Sequence, residues 1–151
     1  MNDHDISVLN SLITTTIDSA AGFERAAEDA GAGRFEQFFQ EFAQERRGVV
    51  SALQAAVNQL GGTPDDDGSL KADLHRRWVD LRAAISGGGG EQAIIEEVER
   101  GEDYIKAKYK AALKDDELSQ ATRGIIEIAY ESVRAGHDRA SALKHAGANT
   151  E

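Results

Sequence analysis

Apolar side chains recur at steps of three and four residues through most of this 151-residue chain, and that spacing constrains its fold more than any other feature. On an α-helix such steps keep the side chains on one face, whereas a half-buried strand would need strict alternation. The pattern therefore predicts an all-α protein. Four long segments carry a stripe: Ile6, Leu9, Ile13, Ile17 and Ala20; Phe35, Phe38, Phe42, Val49, Leu53, Ala56 and Leu60; Ile94, Val98, Ile105, Tyr109 and Leu113; Ile126, Ala129, Val133 and Ala140.

Glycine-rich and acidic breaks separate the stripes. The clearest is GGTPDDDG at residues 61–68, which holds the only proline, and the others are GAG at 31–33, SGGGG at 86–90 and KDDE at 114–117. We expect Asp3 or Asp5 to cap the first helix, and Gly61 to end the second. The breaks predict a single domain over residues 1–151 with helices at 5–31, 34–60, 69–86, 91–114 and 117–146.

The lengths of the connections predict the topology. Short links join the first helix to the second and the fourth to the fifth, so each pair should form an antiparallel hairpin. Residues 61–90 form a long crossover with a short amphipathic helix of its own, and such a crossover lets the helices on either side of it run parallel. The predicted fold is a ferritin-like antiparallel four-helix bundle whose long crossover carries a short amphipathic helix.

Composition excludes several classes of function. The chain has no cysteine, which removes disulfides, thiolate metal sites and cysteine nucleophiles. Its net charge of −10 argues against binding nucleic acid, which needs clustered Lys and Arg. No stretch approaches the ~20 apolar residues of a membrane span, and the acidic start lacks the features of a signal peptide. We therefore expect a cytoplasmic protein without a nucleic-acid or membrane partner.

Acidic residues interrupt the apolar stripes near one predicted mid-bundle level. Carboxylates buried together repel one another and lose hydration, so they need a bound cation, a shared proton or a basic partner. The candidate basic partners are Arg46, Arg100 and Arg123. A divalent cation is the candidate ligand, and its predicted ligands are Glu24, Glu45, Glu102 and Glu131.

The spacing around these glutamates differs from that of di-iron proteins. In that class two helices each carry Glu-x-x-His, but here Glu45 is followed three residues later by Gly48, and Glu131 by Arg134. An oxygen-only site for a harder cation remains open. The alternative of a layer of mutually paired Glu and Arg side chains, which would only fix the register of the helices, also remains open. We interpret His137 as a hydrogen-bonding residue. We expect Gly101, which has no side chain, to leave space for the polar layer or an ion.

Three motifs resemble an uncharacterised bacterial family, best known from proteobacteria, of four-helix-bundle proteins. They are NDHDISVLNSLI at residues 2–13, HRRW at 75–78 and ERGED at 99–103. The family is catalogued as a domain of unknown function and grouped by fold with the ferritin-like proteins. Val98 departs from it, because a cysteine commonly precedes the last motif. The resemblance covers nearly the whole chain and implies the fold and a bacterial origin, but no established activity.

Two functions of different classes follow. The first is a non-catalytic ferritin-like bundle that acts as a cation- or partner-binding module in bacterial stress physiology, as a homo-oligomer or with a protein partner. The alternative is a metal-dependent oxidoreductase or ferroxidase-like enzyme with a degenerate di-iron site. That enzyme would need nitrogen ligands that the sequence does not supply at the expected positions.

Overall fold

The computed structural model describes the backbone of residues 3–29, 34–65 and 90–149. Within these ranges the chain forms four helices and no strand, which confirms the prediction of an all-α four-helix protein. The helices are α1 (Asp3–Asp29), α2 (Arg34–Gln59), α3 (Gly90–Leu113) and α4 (Gln120–Asn149). The short helix predicted at 69–86 lies outside the described residues. No described helix combines the length and the apolarity that crossing a membrane requires.

The apolar stripes of all four helices meet in one core. Each fully buried aliphatic or aromatic side chain of this kind contributes roughly 1.5–3 kcal/mol, so the core is the main source of stability. Its buried members are Leu9, Leu12, Ile13, Ile17, Val49, Val50, Leu53, Ala56, Val57, Ile105, Tyr109, Leu118, Ile126, Ala129 and Val133. Towards the end of α1 the packing becomes aromatic, because Phe23 lies 5.0 Å from Phe42 and 6.1 Å from Phe39 between ring centroids.

Contacts between α1 and α2 run in opposite chain order. Gly62, just after α2, lies against Ile6 near the start of α1. Phe39, early in α2, stacks on Phe23, late in α1. The start of α1 also lies beside the link between α3 and α4, where Asp5 accepts a hydrogen bond from the amide of Ser119. These contacts place the start of α1, the end of α2 and the α3–α4 link at one end of the molecule.

Gly61 ends α2, as the sequence predicts. Its φ is +84°, the left-handed region that favours glycine. The Gly61 amide donates to the Asn58 carbonyl, and the Gly62 amide donates to the Val57 carbonyl, each at 3.0 Å. This pair of hydrogen bonds is a Schellman motif. A Cβ at Gly62 would lie 2.8 Å from Ile6 Cδ1, so the second glycine is what lets the turn approach α1 closely.

Asp5 caps a different helix from the one that the sequence indicates. Its Oδ1 accepts from the Ser119 amide at 3.3 Å, and its Oδ2 accepts from the Thr122 hydroxyl at 2.9 Å, so this residue of α1 binds the start of α4. Ser119 also caps α4 itself, because its Oγ accepts from the Thr122 amide. This cap explains why α4 begins at Gln120 rather than at the predicted residue 117. Burial acts to raise the pKa of Asp5, but the bonds from Ser119 and Thr122 hold that pKa below its ordinary value.

Candidate functional site

An ion pair between α2 and α3 lies inside the bundle. Arg46 Nη2 donates to Glu102 Oε2, and each side chain is only 1% exposed. Arg46 Nη1 also donates to Ser19 Oγ of α1 at 3.3 Å. The ring of Phe23 lies 5.8 Å from the guanidinium carbon, within cation–π distance. Groups from α1 and α3 therefore hold one buried positive charge that α2 carries.

The fourth helix contributes space. A Cβ at Gly136 of α4 would lie 2.5 Å from Arg46 Nη2 and 3.1 Å from Glu102 Oε2. By contrast, a Cβ at Gly101 would meet no atom within 4 Å. The room for the polar groups therefore comes from Gly136 on the facing helix, and not from Gly101 beside Glu102 as the sequence suggested. A glycine inside a helix costs up to ~1 kcal/mol relative to alanine, and here that cost has a packing reason.

Burial dominates the electrostatics of Glu102. It raises the pKa of this carboxyl above its ordinary value, and the nearby Arg46 guanidinium acts in the opposite direction without cancelling the effect. Arginine stays protonated in proteins. A carboxylate at this position is therefore favourable only with a cation beside it, and Arg46 supplies that cation from within the chain.

The structure does not bring the four predicted metal ligands together. Glu24 accepts a hydrogen bond from Arg47, Glu45 accepts one from Arg139 at 3.3 Å, and both glutamates are exposed, as is Glu131. Within the described residues, no three of the four place ligand atoms within 4.8 Å of one another. Of the four, Glu102 alone is buried. A cation site made from this set stays a prediction.

His137 follows Gly136 directly and makes the kind of contact that the sequence analysis expects. Its Nε2 is hydrogen-bonded to Asp103 Oδ1 at 2.6 Å, which links α4 to α3 beside Glu102. Among the residues that the structure describes, its buried Nδ1 finds no hydrogen-bond partner, and Asp138 Oδ1 lies 3.6 Å from it. The geometry makes His137 an inter-helix contact at the edge of the ion pair.

A second buried polar contact joins α1 to α3. Tyr109 Oη lies 2.7 Å from Thr16 Oγ1, and Thr16 donates its only hydroxyl proton to the Leu12 carbonyl. Tyr109 must then be the donor to Thr16. Burial raises the pKa of Tyr109 to about 12, so the phenol keeps its proton near neutral pH. Sequence reasoning placed Tyr109 on a stripe but missed Thr16, because a threonine within a helix gives no signal of a partner 93 positions away.

The comparisons with known proteins identify a family and no activity. A family model described as "Domain of unknown function (DUF2383)" matches residues 4–115. No curated protein matches the sequence. The matched range includes α1, α2 and α3, and therefore both members of the buried ion pair, and it ends before α4 with Gly136. Because the match covers well over half of the chain, the protein belongs to the DUF2383 family, a domain of unknown function.

Proposed function

We propose that this protein is a non-catalytic, cytoplasmic binding module with a ferritin-like antiparallel arrangement of its four helices. The observation that carries the proposal is the buried pair of Arg46 and Glu102, an internal cation beside the interior carboxylate. A bacterial origin belongs to the same proposal and rests on the three sequence motifs.

The order of the helix contacts supports the ferritin-like topology. Opposite chain order between α1 and α2 fits an antiparallel hairpin. Arg46 and Glu102 both lie near the middle of their helices and meet there. With a connection of about 30 residues between them, α2 and α3 can run parallel, as the corresponding helices of ferritin-like bundles do.

The charge balance inside the bundle supports a non-catalytic role. In di-iron bundles metal ions compensate the carboxylates that project inwards. Here the guanidinium of Arg46 compensates the charge of Glu102, and Ser19 holds the same guanidinium in place. A metal ion at Glu102 would have to approach a buried positive charge, which Coulomb repulsion in a poorly hydrated interior opposes.

The other three predicted metal ligands lie on the outside of the molecule. Glu24, Glu45 and Glu131 are exposed, and the whole chain carries a net charge of −10. Such a surface attracts cations and positively charged partners, and it keeps the protein soluble. Partners therefore bind the outer faces of the bundle, and the interior groups stabilise the fold.

Iron chemistry provides the test. The untagged protein, the double variant R46M/E102L, which removes the interior carboxylate without leaving a buried charge, and the control variant E127Q, at an exposed carboxylate, would be incubated with Fe(II) in air, and Fe(II) oxidation and retained iron would be measured. We expect oxidation at the rate of protein-free buffer in all three samples. Retained iron together with faster oxidation that R46M/E102L abolishes and E127Q preserves would overturn the proposal in favour of the ferroxidase-like enzyme.

A further inference from the structure

Three side chains with metal-binding chemistry meet at the opposite end of the molecule from the aromatic residues. His4 belongs to the first turn of α1, and Asp115 and Glu117 belong to the link between α3 and α4. His4 Nε2 lies 2.7 Å from Asp115 Oδ2 and 3.9 Å from Glu117 Oε2. One ligand atom from each residue lies within 4.8 Å of the other two. One imidazole nitrogen and two carboxylate oxygens form this cluster, which we call the corner triad.

Contacts outside the corner triad hold its two halves together. Asp5, the residue after His4, binds the Ser119 amide and the buried Thr122 hydroxyl at the start of α4. Arg123 donates to the backbone carbonyls of Leu113 and Asp115, which ties the end of α3 to α4. The backbones that carry the triad are thus fixed by bonds that an arriving ion would leave intact. Binding sites held in this way lose less entropy on occupation.

Asp115 is oriented towards His4. Its Oδ1 accepts the Glu117 amide at 2.9 Å, and this leaves Oδ2 facing the imidazole. Hydrogen bonds of this kind orient carboxylate ligands in metal sites.

The distances fit a small divalent ion after minor adjustment. In a tetrahedral site with bonds of about 2.0–2.1 Å, two ligand atoms stand roughly 3.3 Å apart. His4 and Asp115 would separate by about half an ångström from their 2.7 Å contact, and Glu117 would close in from 3.9 Å. Both movements are available, because the side chains of His4 and Glu117 are 43% and 80% exposed. Solvent access also leaves the fourth position to water.

We propose that the corner triad of His4, Asp115 and Glu117 binds a divalent transition-metal ion of the zinc class. Imidazole nitrogen together with carboxylate oxygen suits Zn²⁺ and its neighbours better than Mg²⁺ or Ca²⁺, which prefer oxygen alone. The ion bridges α1 to the α3–α4 link and strengthens that end of the bundle. This inference rests on the proposed binding function and deepens it by naming a ligand and its site, which differs from the four predicted glutamates.

Zinc titration of matched variants tests the site. The untagged full-length protein and the variants H4Q, E117Q and E127Q would be titrated with ZnCl₂ by calorimetry, with MgCl₂ as the control ion. Glu127 is an exposed carboxylate of α4 outside the triad. Removing one of three ligands should weaken binding by at least the 10–100-fold that outer-shell partners contribute. We expect saturable binding of one Zn²⁺ per chain, weakened in H4Q and E117Q, unchanged in E127Q and absent with Mg²⁺.

Proton NMR of the histidine rings provides an independent measurement. Zn²⁺ should shift the ring signals that disappear in H4Q and leave the signals of His137 in place. Equal Zn²⁺ affinity in the wild type, H4Q and E117Q, or no saturable binding at all, would overturn the inference. Its failure is separable from that of the proposed function, because the iron test depends on Glu102 and the zinc test on His4 and Glu117.

Discussion

Arg46 and Arg47 are neighbours in α2, yet they form Arg–Glu pairs in two different environments. Arg46 binds Glu102 of α3 with both side chains 1% exposed. Arg47 binds Glu24 of α1 with side chains 47% and 48% exposed. Both pairs are made through Nη2 and a single carboxylate oxygen, so residue type and contact are matched while burial differs.

The difference shows that the surroundings of an ion pair determine what it does for the protein. An exposed pair exchanges solvation for a screened attraction and contributes about 0–1 kcal/mol. A buried pair repays a large desolvation cost only while both partners remain, so that removing one of them leaves an uncompensated charge in the interior. The Arg46–Glu102 pair is therefore a condition of the fold, whereas the Arg47–Glu24 pair is a feature of the surface.

The largest effect is expected from removing the buried carboxylate charge. E102Q leaves the permanently charged Arg46 in the interior without its anion and should lower the free energy of unfolding by about 3–5 kcal/mol. Urea unfolding followed by circular dichroism measures this. A loss below about 1 kcal/mol would mean that the two pairs are energetically alike. The double variant R46M/E102L is the control, and it should regain the wild-type stability or exceed it.

Removing the arginine should lower the free energy of unfolding by an amount that depends on pH. In R46M the buried Glu102 keeps its raised pKa without the opposing cation. The native state then binds the proton more tightly than the unfolded state does. Stability should accordingly be greatest below the ordinary glutamate pKa and fall as pH rises through the folded-state pKa. We expect R46M to be clearly closer to wild type at pH 5 than at pH 7. Urea unfolding at the two pH values measures this, and an equal loss at both would contradict it.

Filling the space at Gly136 should have an intermediate effect. G136A places a methyl group against Arg46 and Glu102 in a packed interior, where overpacking costs about 1–3 kcal/mol. The matched control is G124A in the same helix, since a Cβ there meets no atom within 4 Å. That variant should gain up to ~1 kcal/mol from helix propensity. Equal gains in both variants would show that the ion pair does not need the glycine.

The contact of Asp5 with α4 should contribute an amount of stability between those of the two ion pairs, because the Asp5 side chain is buried but its partners are neutral. D5A should cost about 0.5–2 kcal/mol, as the loss of a helix cap does. Since the folded-state pKa of Asp5 is lowered, its contribution is present above the ordinary pKa and lost as pH falls through the folded-state value. The difference between D5A and wild type in urea unfolding should therefore shrink at acid pH, and a constant difference would contradict this.

The smallest effect is expected at the exposed pair. R47M and E24Q should each change the free energy of unfolding by about 0–1 kcal/mol, and salt should reduce even that change. Thermal melts at low and high salt measure it. A loss comparable to that of E102Q would show that exposure does not separate the two pairs.

Much of the fold could be predicted because helix signals are local. The apolar steps that include Leu9, Ile13 and Leu53 reappear as buried residues of the core. Gly61 ends α2 as predicted, since a left-handed terminal residue needs only its own helix. The start of α4 was placed too early, because Ser119 acts as a cap with the help of Asp5, a residue 114 positions away.

The candidate site was less accessible to sequence reasoning. The stripes indicated that some acidic residues turn inwards, and Glu102 does so, with Arg46 among the arginines considered as partners. Glu24 and Glu45 lie near the same stripes but are exposed. One residue of error in helix phase rotates a side chain by ~100°, which is enough to exchange core for solvent. The corner triad gave no signal, since His4 lies 111 positions before Asp115.

The sequence by itself determined that this chain forms long amphipathic helices, where most of them begin and end, and that its surface is acidic. These properties depend on neighbours within a few turns of one helix. The tertiary structure decided which carboxylate is buried, that Arg46 neutralises it, that Gly136 makes room for the pair and that His4 meets Asp115. Those outcomes depend on the rotation and relative height of separate helices, which are set by packing of the whole core and not by any local pattern.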